Sequence, residues 1–193
     1  MKHFLTSTLL LLCCSCVQLG SDPQPMRYYL LQPNAQAEAL SIDPEVNLTL
    51  EPIQFPTYLD QPQLTTHNDQ QQVIIATLDR WAEPLPENVT RVLRENLSRH
   101  LQVAKTSQVT LKPDNQELSI KLTINNFDGI LGQKLNVDIR WAIIATDRSK
   151  KLSQGRFTDD TPLGKKYSDL VIGLNGALNR ISQKLAMEVT KLL

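Results

Sequence analysis

The sequence predicts an α/β fold, a single-domain sandwich in which a mixed central sheet of about six strands is covered by two principal helices. Three observations carry this expectation. Runs such as Leu118-Ser119-Ile120-Lys121-Leu122 and Leu135-Asn136-Val137-Asp138-Ile139 alternate apolar and polar residues with the period of half-buried strands. Two later stretches, 86–102 and from Ser168 onward, place apolar residues at helical spacing. Nine of the eleven prolines precede residue 90, so the first half reads as extended strands and turns.

Composition narrows the class. The chain has 193 residues, 41% hydrophobic and 21% charged, which suits one globular domain. Twenty Lys and Arg balance twenty Asp and Glu, so the basic excess of a dedicated nucleic-acid binder is missing. A mean hydropathy of -0.25 speaks against a polytopic membrane protein. The three cysteines are Cys13, Cys14 and Cys16. With none beyond, the body holds no internal disulfide and no thiolate zinc site.

Residues 1–15 read as a lipoprotein signal peptide. Lys2 and His3 give a positive start, and Phe4 to Leu12 give an apolar run. That run falls far short of the roughly 20 apolar residues that span a bilayer. Ser15 before Cys16 fits a lipobox, with Cys16 the lipidated residue; Cys14, preceded by Cys13, is the competing cleavage point. A covalent lipid on Cys16 is expected, and no other cofactor. Residues 16–26, polar and holding Gly20, Pro23 and Pro25, form a lipidated tether to a domain of residues 27–193. Val17 after the cysteine resembles lipoproteins exported to the outer membrane. Removing residues 1–15 takes away only Lys2 among the charges, leaving a net charge of -1 and no polybasic patch in the sequence.

Along the body, Arg27-Tyr28-Tyr29-Leu30-Leu31 is a short β-rich run ended by Pro33. Residues 34–40 read as a loop or short helical turn. Val46, Leu48 and Leu50 alternate as a strand that Pro52 and Pro56 either end or place at an edge. Residues 58–64 are a turn-rich connection, Thr66 to Gln72 an exposed polar loop, and Val73 to Ala76 a short strand. Pro84 and Pro86 announce the helix over 86–102, with Val89, Val92, Leu93, Leu97 and Leu101 inward. Strands at 118–124 and 135–143 flank an expected hairpin loop from Asn125 to Lys134, and Lys151 to Phe157 adds a third. Ser168 is the expected cap of the last helix, with Asp169 in its first turn. Gly173 and Gly176 inside it, each costing about 1 kcal/mol, imply close approach to a sheet.

Three segments together resemble one family. They are Arg27 to Leu31 soon after a lipidatable cysteine, Pro56-Thr57-Tyr58-Leu59-Asp60-Gln61-Pro62-Gln63, and Asp79-Arg80-Trp81-Ala82-Glu83-Pro84-Leu85 leading into the helix. In that order they are similar to the PqiC/YmbA family, auxiliary lipoproteins of ABC-type, MCE-containing intermembrane transport systems. Gln61 stands where a basic residue is expected, and Thr65-Thr66 where an apolar or Val-Thr pair is usual. The resemblance implies an outer-membrane lipoprotein facing the periplasm. It implies work beside an integral-membrane transporter component and a lipid-carrying MCE-domain protein, a ring of subunits, and no enzymatic activity.

The residues agree on the last point. No Gly-x-Ser-x-Gly elbow, His-Glu-x-x-His or phosphate-binding loop is present in the sequence. His67 falls in the polar loop and His100 on the charged side of the first helix, both read as solvated or cap-stabilising. Asp159-Asp160, before Thr161-Pro162, reads as a turn. Asn47, Asn88 and Asn96 begin glycosylation-like triplets taken as incidental. Trp141 reads as core, while Trp81 reads either as packed under the helix start or as an exposed anchor. Tyr58, Leu59, Asp60 and Trp81 are the partner-surface candidates. Besides the docking subunit, two readings stay open: a periplasmic module binding a lipid or other apolar ligand, and an envelope scaffold lipoprotein without a transport role.

Overall fold

The computed structural model describes residues 24–40, 47–102, 117–145 and 150–193. The leader, Cys16, most of the tether and Val46 lie outside the described residues. In chain order the elements are β1 (Arg27–Tyr29), β2 (Asn47–Leu50), a 3-10 turn (Thr57–Leu59), β3 (Gln63–His67), β4 (Val73–Trp81), α1 (Leu85–Leu101), β5 (Glu117–Ile130), β6 (Lys134–Ala145), β7 (Lys150–Asp159) and α2 (Tyr167–Thr190).

The α/β sandwich with two helices is as expected, but the sheet is divided. Four strands run in the order β2-β5-β6-β7 and three in the order β1-β4-β3. Both sheets are mixed: β2 is parallel to β5 and β1 to β4, and the remaining pairs are antiparallel.

The division originates in β5. Leu118, Ile120, Leu122 and Ile124 are buried along one face, as their alternation demands. Asn125 is then an extra residue: the register to β6 shifts between Ile124 and Asn126. This bulge passes the core side to Phe127 and turns Asp128 to the other face. The predicted loop over 125–134 is therefore strand as far as Ile130, and only residues 131–133 turn. Asn125-Asn126 and Asp128-Gly129 look like turn residues because the bulge needs a break in alternation. Gly129 is small because a Cβ there would lie 2.8 Å from a Leu163 methyl.

Leu170, Leu174, Leu178, Ile181, Leu185 and Val189 bury one stripe of α2 in the core. The expected close approach occurs at Gly173, where a Cβ would meet Leu135 of β6 at 3.0 Å. Gly176 differs from the expectation: its nearest neighbour is Arg180 of the same helix. The helix begins one residue before Ser168, and Asp169 is the residue that folds back, accepting the Lys166 N–H at 3.0 Å.

Residues 31–40 form a strap laid across both helices, and helix side chains replace a neighbouring strand as hydrogen-bond partners. Asn88 accepts from the Leu31 N–H (2.7 Å) and donates to the Leu31 carbonyl (3.1 Å). Asn96 accepts from the Asn34 N–H (2.7 Å), and Asn175 of α2 accepts from the Gln32 N–H (3.1 Å). Arg99 donates to the Asn34 carbonyl, and the Leu40 N–H donates to the His100 carbonyl. His100 is thus not on the solvated side. It is 4% exposed, with Nδ1 2.8 Å from the Glu38 carbonyl. Asn88 and Asn96 are 1% and 0% exposed; Asn88 spends both amide atoms on the strap, whereas Asn96 holds the strap with its oxygen and donates to Asn179 and Ser182 of α2 with its nitrogen.

β1 stops abruptly for a covalent reason. The Ala82 N–H donates to the Tyr29 carbonyl, so odd-numbered residues of β1 turn their backbone groups to β4. Pro25 and Pro23 share that parity and have no N–H to give. The parallel ladder therefore starts at Arg27.

Asn88→Ala orphans the buried Leu31 N–H, and such groups cost about 1–3 kcal/mol. A urea titration should show a lower midpoint at unchanged slope, with faster amide exchange at Leu31; an unchanged midpoint would contradict the strap's role.

Candidate functional site

The functional surface is built where the three-stranded sheet meets the tether and β5. Its first part is a latch. Arg27 Nε and Nη2 each donate to the Asp79 carboxylate at 2.7 Å, and the Tyr29 hydroxyl donates to Asp79 Oδ1 at 2.7 Å. Asp79 is 2% exposed, so its charge is paired at the point of burial. The Arg27 hydrogen bonds hold the Asp79 carboxyl below the usual carboxylate range, and burial, then Asp79, pushes the Tyr29 phenol up. Two of the three segments singled out in the sequence thus meet: Arg27 to Leu31 lies against Asp79 to Leu85.

The second part joins the remaining segment to β5. Asp128 is fully buried on the face of β5 opposite Phe127. Its carboxylate accepts from the Tyr58 hydroxyl (2.6 Å) and from Asn136 Nδ2 (2.9 Å). His67 Nδ1 stands 3.1 Å from Asp128 Oδ2, near enough for attraction but not aligned as a hydrogen bond. The Tyr58 and His67 rings meet edge to face, 5.6 Å between centroids. Burial, then the Asp128 hydrogen bond, pushes the Tyr58 phenol well above its ordinary value. His67 and Thr66 are therefore not loop residues: they end β3, and Thr66 is 2% exposed. The polar run misled because His67 stands beside a buried carboxylate rather than in water, and Thr66, on the other face of the strand, is buried too.

The four partner-surface candidates separate. Leu59 (3% exposed) and Trp81 (6%) belong to the hydrophobic core and leave little surface for a partner. Tyr58 is half-buried by Asp128 and Asp60 is exposed at the end of the 3-10 turn. Gln61 fixes this turn, donating from Nε2 to the Tyr58 carbonyl (2.9 Å) and Thr65 Oγ1 (2.8 Å).

What sequence reasoning missed is the start of β4. Val73, Ile74 and Ile75 are 45%, 42% and 52% exposed in succession, hence on both faces of the strand. Only Asp79–Trp81 of β4 pair with β1, so residues 73–78 keep an open edge on that side among the described residues. Each exposed Ile forgoes part of the roughly 1.5–3 kcal/mol that full burial contributes. A three-residue apolar run reads in sequence as a buried strand, and nothing local marks it as exposed.

Elsewhere, an open groove of about 480 Å³ lies between residues 50–53 and the first half of α1. Glu51, Glu87, Arg91 and Arg94 rim it, a lining poorly matched to a purely apolar ligand. The Asp159-Asp160 pair is structural: Asp159 ends β7, is 6% exposed, and accepts from Arg180 and the Thr161 N–H. Among the described residues, no group of three or more His, Cys, Asp or Glu side chains is placed to hold a metal. No described helix is long and apolar enough to cross a membrane. The Asp128 cluster has an acid, an imidazole and a phenol, but among the described residues no Ser, Thr or Cys side chain is hydrogen-bonded to His67 or Asp128 as an activated nucleophile would be.

Residues 28–186 match the model of a family described as the ABC-type transport auxiliary lipoprotein component. The chain belongs to this family. Membership makes it a transport auxiliary lipoprotein, a membrane-anchored protein of the envelope that serves a transport system, and it points to a non-enzymatic role. The fold agrees with solved structures. A crystal structure described only as that of an uncharacterized protein is 22% identical with a TM-score of 0.67, covering 86% of this chain and 99% of its own. A Xanthomonas campestris protein of the DUF330 family is 11% identical with a TM-score of 0.64, covering 86% of this chain and 92% of its own. At such identities the likeness is one of fold. No curated protein matches the chain.

Asp79 ionises more readily folded than unfolded, where its ordinary value is about 3.9. Its contribution is therefore present above that value and is lost as pH falls through the lower folded value. Asp79→Asn should lower the thermal midpoint at pH 7, and the gap to wild type should close below about pH 4. Asp128→Ala strands the Tyr58 and Asn136 donors and should cost about 2–4 kcal/mol. Loss of the Tyr58–His67 ring contact, read as altered aromatic proton shifts, would accompany it.

Proposed function

We propose that this chain is the non-catalytic outer-membrane lipoprotein subunit of an MCE-type intermembrane lipid transport complex. It is anchored through lipid on Cys16 at the periplasmic face and docks the component that spans the periplasm. The observation that carries the reading is the family match over residues 28–186, an auxiliary lipoprotein of ABC-type transport. The lipobox-like Ser15-Cys16 and Val17 support the anchor and the membrane. The three sequence segments that resemble the PqiC/YmbA family support the MCE-domain protein and the integral-membrane transporter as partners.

The geometry supports docking in one specific way. The 3-10 turn is pinned from beneath by Tyr58 on Asp128 and from the side by Gln61, so Asp60 is presented on a rigid support. Asp60 with the outer edge of Tyr58 is the proposed contact. A ring of subunits would repeat this contact around an axis and add affinity through multivalency.

Affinity purification from gently solubilised membranes tests this. The wild-type chain should recover an MCE-domain protein, and Asp60→Arg should reduce that recovery several-fold while leaving the melting temperature unchanged. Cys16→Ala should abolish palmitate incorporation and release the chain from the membrane fraction. Wild-type chain recovered without any MCE-domain protein would sink the proposal.

A further inference from the structure

We infer that the open end of the three-stranded sheet is a second membrane contact, in which Val73, Ile74 and Ile75 rest in the lipid interface beside Lys134, Lys165 and Lys166. This rests on the proposed anchor at Cys16, and it gives the exposed apolar strand an occupant: the leaflet that holds the anchor.

The position of the tether favours this occupant. β1 and β4 are parallel, with Arg27 opposite Asp79. The tether therefore approaches β1 from the side on which β4 begins, the side of Val73. Cys16 is eight residues before Gln24, a span of at most roughly 28 Å when fully extended. Met26, 51% exposed, stands at the junction. An acylated Cys16 thus holds this end of the domain within reach of lipid.

Backward extension of β1 cannot cover the open edge. It would oppose residues 23–26 to residues 75–78, but Pro25 and Pro23 fall at the positions that must donate to β4. Among the described residues that edge has no strand on it.

Charge favours the same leaflet. Asp69 of the β3–β4 turn accepts from Gln133 Nε2 at 2.7 Å, which fixes that turn against the β5–β6 turn. Lys134 follows Gln133, and the Lys165 side chain runs along Gly132, with its Cγ 3.1 Å from where a Cβ would be. Lys134, Lys165 and Lys166 are all exposed, so the fold assembles a basic cluster that the sequence scatters. Asp69 keeps its negative charge, its donor being the neutral Gln133 amide, and the three lysines outnumber it. Apolar β-branched side chains next to lysines match the interface of an anionic leaflet. The amide-rich turn of Asn68 and Gln70 to Gln72 sits at headgroup level, where polar side chains remain hydrated.

The absence of any cysteine after Cys16 makes the test clean. The full acylated chain carrying Ile74→Cys is labelled with an environment-sensitive fluorophore and reconstituted into vesicles of phosphatidylethanolamine and phosphatidylglycerol. Lys151→Cys, on the opposite end of β7, is labelled as the control. Interfacial segments lie about 5–10 Å into the headgroup boundary, so nitroxide at a shallow acyl position should quench the Ile74 label about two-fold and spare the Lys151 label. Lys165→Glu with Lys166→Glu should weaken that quenching. A chain that floats with the vesicles while its Ile74 label stays unquenched overturns the second contact and leaves the anchor standing. A chain that does not float overturns both. An Ile74 label that is unquenched in vesicles but crosslinks to a protein, or to a second copy, in native membranes overturns it in favour of a protein docking edge.

Discussion

One inserted residue in a long strand governs how this molecule is put together. Without the bulge at Asn125, the alternation of β5 would carry Asp128 into the side that faces α2, among Leu163, Leu170 and Leu174. A carboxylate there would lack both solvent and donors, which no small domain can tolerate. With the bulge, Asp128 turns outward, and Tyr58, Asn136 and His67 gather on it. The 3-10 turn and β3 are thereby held over the second half of β5, whereas β2 pairs with its first half. Two sheets exist because one strand presents two different sides.

The same economy of polar contacts runs through the other junctions. The core supplies most of the gain from burial, but apolar contacts are non-directional and do not by themselves say where a strap or an edge strand belongs. Buried polar groups do, because each is costly unless one particular partner is present. Asp79 selects Arg27 and Tyr29, Asn88 selects Leu31, and Asn96 selects Asn34 while also donating to Asn179 of α2. A short β1 and an irregular strap, neither able to form a stable element alone, gain unique positions in this way.

The regular parts of the fold were legible for the same reason that they are regular. Leu118 to Ile124, Leu135 to Ile143 and the stripe from Leu170 to Val189 repeat with the period of their element, so sequence alone placed them. Asn125, His67 and His100 were misread because each is a polar residue whose partner lies elsewhere in the chain: Asp138 for Asn125, Asp128 for His67, Glu38 for His100. Local polarity then looks like exposure. The partner-surface candidates divided along the same line. Leu59 lies between prolines, a setting that suggests exposure, yet long-range contacts bury it, while Trp81 takes the packed one of its two readings. The exposed Val73 to Ile75 run was illegible because exposure of an apolar strand depends on what covers it, which no local pattern encodes.

The short β1 has a mechanical meaning. If the tether ends in lipid, every tug between membrane and transport machinery passes through Arg27. A pull directed along β1 away from the body loads its parallel hydrogen bonds and the two Arg27–Asp79 bonds side by side, in shear, so that they must yield together. A hairpin loaded from its end would instead open one rung at a time. Pro25, unable to join the ladder, fixes the point where force enters, so the three residues of β1 act as a clasp at the entrance to the domain.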